Sequence, residues 1–166
     1  MTSTLDTPML ADGRRDLKFA TMDRVMPDID NLLLGYRQLG NWSLGQICNH
    51  LTMVIQGSVA GFGGRAPWIV RKAIGPIVLR QIFKAGCMKP GRMLPKKFWP
   101  NTGLDDRAEA EAMRATLYYF AAHMEGFADH PIFGPLSREQ WTRLHCIHCA
   151  HHLSFLVPEP DALAPG

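Results

Sequence analysis

Ser137-Arg138-Glu139-Gln140-Trp141-Thr142-Arg143-Leu144-His145-Cys146-Ile147-His148-Cys149-Ala150-His151-His152 is the stretch from which the fold can be read. It opens with a capping box, Ser137 at the N-cap and Gln140 three residues on, each placed to satisfy a backbone N–H at the start of a helix. Four of the chain's seven histidines fall between His145 and His152. At about 100° per residue, Trp141, His145, His148, His152, Phe155 and Leu156 share one helix face. Cys146 and Ile147 lie outside that face, and His151 sits on its shoulder. The histidines therefore belong to the side that should meet a core. Two inward imidazoles at i and i+4 suit a divalent cation. Core histidines held by hydrogen bonds are the other reading, since buried imidazoles with no partner at all cost free energy.

Working outward, the same grammar recurs. Asp105-Asp106 opens a helix expected to reach about Gly126, its acidic first turn matching the helix dipole. Met113, Leu117, Phe120 and Met124 mark its core side. Ser43-Leu44-Gly45-Gln46 is a second capping box, opening a helix from Leu44 to about Ala60. His50 lies on or beside its buried stripe with Ile47 and Val54, and taken alone it reads as a structural histidine. Thr21 is placed to cap a helix to about Leu34, with Pro27 in its first turn or at a kink and Gly35 as its stop. Tyr36 to Trp42 reads as a connector. Between the second and third of these helices come an apolar helical segment, Trp68 to about Lys84, and an irregular loop over 85–104, rich in Gly, Pro and Lys.

The chain has 166 residues, 46% hydrophobic and 20% charged, values of a globular domain with a real core. The organisation expected is a flexible arm at 1–18, a helical body at 19–157 and a disordered tail at 158–166. Four cysteines show no zinc-ribbon spacing and read as reduced thiols, which suits a cytoplasmic protein. Residues 1–6 lack the pattern of a secretory signal, and no apolar run is long enough for a membrane span. Charge is unevenly placed: no Asp or Glu occurs from Asn31 to Leu104, where ten Lys and Arg residues stand. Those cations are spread among apolar residues and match no nucleic-acid module. A homodimer face is the preferred reading of 68–83, ahead of a membrane surface. Helices with one apolar stripe each, and no βαβ alternation, point to an all-α protein, an antiparallel helical bundle.

The ordered phrases Trp42-Ser43, Gly45-Gln46-Ile47-Cys48-Asn49-His50-Leu51 and His148-Cys149-Ala150-His151-His152-Leu153 resemble the second and last helices of DinB-like proteins. Leu39 to Gln46 and Pro131 to Ser137 resemble a bacterial branch known only as a domain of unknown function. The resemblance runs from about Arg14 to Val157. It implies a four-helix bundle with one divalent metal, Zn or Ni, held by three histidines, which match His50, His148 and His152 here. His145, one turn earlier on the same face, offers a fourth ligand or a proton donor. Three protein ligands leave a coordination position open, as in catalytic zinc sites. Some relatives of this type are thiol-using transferases or isomerases, so the resemblance implies a low-molecular-weight thiol and a small electrophile as partners. A metal-dependent hydrolase is the alternative, its general base coming from His145, Glu125 or Asp30; a non-catalytic metal-binding module is another. The sequence names no substrate.

Overall fold

The computed structural model describes residues 7–89 and 98–159. They form a mostly helical chain: α1 (Val25–Leu32), α2 (Leu44–Ala60), α3 (Gly75–Ala85), α4 (Asp106–Ala122) and α5 (Arg138–Leu153). A two-stranded antiparallel sheet pairs β1 (Tyr36–Gln38) with β2 (Leu156–Pro158). A 3-10 turn (Met22–Arg24) precedes α1 and a π turn (Val70–Ile74) precedes α3.

The helices start where side chains can serve the free N–H groups of the first turn. Ser43 accepts from the Gln46 backbone at 3.3 Å while the Gln46 side chain accepts from Ser43 N, and Ser137 and Gln140 do the same for α5. At α2 the remaining donors are also met. Leu44 N donates to the Tyr36 hydroxyl at 3.0 Å and Gly45 N to Asp106 Oδ1 at 2.6 Å. Tyr36 in turn donates to Asp106 Oδ2 at 2.8 Å. One carboxylate thus joins β1 and the N-termini of α2 and α4. Gly45 is needed there, because a Cβ would lie 2.9 Å from Asp106 Oδ1.

Packing follows the stripes. α2 lies most extensively against α4, and α5 packs on α1 and α2. Leu44, Ile47, Leu51 and Ile55 recur at helical spacing and are all but fully buried, as are Ile29, Leu32, Met113 and Trp141. Each such aliphatic side chain contributes about 1.5–3 kcal/mol by leaving water.

Several expectations change. Thr21 makes no side-chain cap, because the chain enters α1 through the 3-10 turn. α4 stops at Ala122, so Met124 is off the helix and 85% exposed rather than core. Cys146 and Ile147, expected outside the inward face of α5, are buried, because α5 is covered on more than one side. α5 also ends at Leu153, before Phe155, and the chain then turns into β2. The Tyr36 to Trp42 connector contains β1. Within the expected arm, Arg15 is 2% exposed and bidentate on Asp28, at 2.5 and 2.9 Å, and donates to the Leu153 carbonyl at 2.8 Å. A cation is thereby set on the C-terminal carbonyls of α5, where the helix dipole favours it. Residues 90–97 of the loop and 160–166 of the tail lie outside the described residues.

Candidate metal centre

α2 and α5 bring His50, His148 and His152 together. Their ring centroids are 5.1 Å apart for 50 and 148, 4.7 Å for 50 and 152, and 4.7 Å for 148 and 152. Helical spacing places His148 and His152 one above the other on α5, and α2 sets His50 across from them. His148 Nε2 lies 3.2 Å from His50 Nε2 and 3.0 Å from His152 Nε2. Imidazole nitrogens sharing one cation at about 2.0–2.1 Å stand roughly this far apart. Candidate ligand atoms of all three lie within 4.8 Å of one another, and no Asp, Glu or Cys joins the group among the described residues.

The tautomers sharpen the fit. His50 Nδ1 donates to the Phe98 carbonyl at 2.7 Å. A carbonyl can only accept, so the neutral ring presents a bare lone pair at Nε2. Two further imidazole nitrogens face it. One proton on His148 would have to serve both neighbours, whereas a cation at the centre engages all three lone pairs. Burial holds the three rings below the usual imidazole pKa, and His148 and His152 are held well below it, with the neighbouring histidines adding to the effect. The rings are therefore neutral at pH 7, the form that binds metal. His50 is fully buried, while His148 and His152 keep partial exposure.

The surroundings hold the rings in place. Trp42 stacks on His152 at 5.4 Å with planes 16° apart and tilts against His50 at 5.2 Å. His151 turns aside, its Nδ1 donating to the Met88 carbonyl at 3.1 Å. The Phe98 carbonyl is an outer-shell partner of the kind that orients metal-bound histidines. Neither support was identified as such from sequence. Trp42 had one signal, its place directly before the capping Ser43; a backbone carbonyl has none.

His145 lies outside the group. Its Nε2 meets Ser58 Oγ at 3.1 Å, and its ring stacks on Trp141 at 5.1 Å. Neither role expected for it, fourth ligand or proton donor, is served by that contact. Asp30 is paired with Arg114 at 2.5 Å, and Glu125 is exposed. Cys149 is wholly buried, and that burial pushes its thiol well up, toward the un-ionised form.

A family model described as a protein of unknown function (DUF1569) matches residues 11–159. Neither the curated proteins nor the solved structures include a match to the chain. The chain belongs to the DUF1569 family.

Proposed function

We propose that this member of a family of unknown function is a DinB-like four-helix bundle, with α1, α2, α4 and α5 as its helices, that binds one divalent cation, Zn or Ni, through His50, His148 and His152. The convergence of three imidazole nitrogens carries the reading. The resemblance of the two histidine helices to DinB-like proteins supports it. On this reading the site is catalytic and thiol-dependent, transferring a low-molecular-weight thiol to a small electrophile or isomerising the adduct. A cation held there supplies Lewis acidity, which lowers the pKa of a thiol or water at its open position.

The chain's own residues divide the remaining work. The Phe98 carbonyl fixes the His50 tautomer, and Trp42 restrains His152. His145, engaged by Ser58, leaves three donors rather than a closed shell of four, which favours a catalytic over a purely structural metal. Among the described residues no carboxylate joins the group to act as general base, which favours thiol transfer over hydrolysis.

Elemental analysis of the purified protein tests the metal. Near-stoichiometric Zn or Ni is expected, lost in His148→Ala and in His50→Ala. Metal-free protein that takes up neither ion on dialysis sinks the proposal. Assay of ester and electrophile substrates with and without added thiol then separates transfer from hydrolysis. Turnover that needs no thiol overturns the thiol-dependent part.

A further inference from the structure

The segment from Trp68 to Ala85 has a face that neither the core nor the histidine site uses. One side is seated: Gly75 and Leu79 are buried, and Gly75 lies so close to the Ile132 carbonyl that a Cβ there would overlap it. The opposite side is bare. Trp68 is 70%, Ile69 66% and Ile77 61% exposed. The π turn over Val70–Ile74 takes an extra residue into its loop. That shift brings Ile69 and Ile77 close to one line, where an uninterrupted α-helix would stagger them by most of a quarter turn.

Charge decides what fits this face. Lys72, Arg80 and Lys84 are exposed on the same segment, and none is ion-paired among the described residues. Arg71 points the other way, to Asp129 at 2.5 Å. No acidic residue occurs between Asn31 and Leu104 to balance these cations. A second copy docking by the same face would set cations against cations, since a two-fold interface matches a patch with itself. An anionic lipid surface offers the opposite: phosphates for the cations and an interfacial zone for Trp68, Ile69 and Ile77. The contact would be peripheral, since no helix of the described residues is long and apolar enough to cross a membrane.

We propose that the outer face of residues 68–84 docks on the surface of an anionic lipid bilayer. The full chain is sedimented with phosphatidylcholine vesicles, with and without phosphatidylglycerol, in low and high salt. Binding is expected only with phosphatidylglycerol, and is expected to fall in high salt. The variant K72Q/R80Q/K84Q should need on the order of a hundredfold more lipid for half-binding, with circular dichroism showing its helices intact. Trp68→Phe supplies a readout that does not depend on that variant: a blue shift of emission on vesicle addition should be smaller without Trp68. Absence of binding to phosphatidylglycerol vesicles overturns the proposal, as does binding that a folded triple variant retains. A concentration-dependent dimer that I69S/I77S abolishes overturns it too, by assigning the face to a second copy of the chain.

Discussion

His145 carries no charge in the folded chain. Burial pushes its pKa down to about 3, and that of His130, one ring removed across Trp141, to about 4. The His130 Nδ1 lone pair is also used, accepting from the backbone of Ile132 and Phe133 at 3.1 Å each. Both rings take up a proton only on unfolding, between their folded pKa and the ordinary value near 6.5. Their contribution to stability is therefore complete above about pH 6.5 and is lost as pH falls toward 4 and below. Urea titrations at pH 7, 5.5 and 4.5 should show stability dropping, with each unshared proton adding about 1.4 kcal/mol per pH unit to the slope. His145→Gln should flatten that slope by about one proton; an unchanged slope would show that another group governs the acid limb. Arg15 and Asp28 make a second residue-scale case. Asp28→Ala leaves a guanidinium buried without its carboxylate and should cost about 3–5 kcal/mol in urea denaturation. The double change Arg15→Met with Asp28→Leu should cost less, because no charge is then stranded.

At the scale of elements, the starts of α2 and α5 were legible because a capping box is local: Ser43 with Gln46 and Ser137 with Gln140 lie within four residues. Ser137→Ala should destabilise the fold by about 1 kcal/mol, read as a shift in the urea midpoint. What no local pattern announced is the joint at Asp106. Its carboxylate serves the second helical N–H of α2 and the Tyr36 hydroxyl, at 2.6 and 2.8 Å, from 61 and 70 residues away. Asp106→Ala strands both donors and should cost about 2–4 kcal/mol, more than the cap alone. A loss no larger than that of Ser137→Ala would show the joint to be dispensable. β1 and β2 escaped the sequence for the same reason. Each has three residues, too few for an alternation to show, and their register joins Tyr36 to Pro158 across the whole body of the chain.

For the whole molecule, the histidine site joins two helices that are nearly one hundred residues apart in sequence. A cation there would bind the folded chain and not the unfolded one, so loading is expected to stabilise the fold as a whole. Adding Zn or Ni at about a thousandfold excess over its dissociation constant should contribute about 4 kcal/mol, seen as a higher melting temperature that a chelator reverses. His50→Ala should melt at the same temperature with and without metal. A wild-type chain whose melting point ignores metal would contradict a site spanning α2 and α5.

The sequence by itself determined the helical class, the two capping boxes, the bounds of α2, and the candidacy of His148 and His152, which one turn of helix places together. All of these depend on neighbours within about four residues, where spacing translates directly into geometry. His50 entered the set only through resemblance, since nothing local tells a core histidine from a ligand. The tertiary structure alone decided that its Nε2 lies 3.2 Å from that of His148 and in one group with His152, with the Phe98 carbonyl fixing its tautomer. It also diverted His145 to Ser58 and drew Arg15 into the interior. Each of these contacts joins residues at least 13 positions apart in the chain. Only packing supplies the free energy that brings such groups within bonding distance, because side-chain periodicity specifies which face is buried and not what lies across from it.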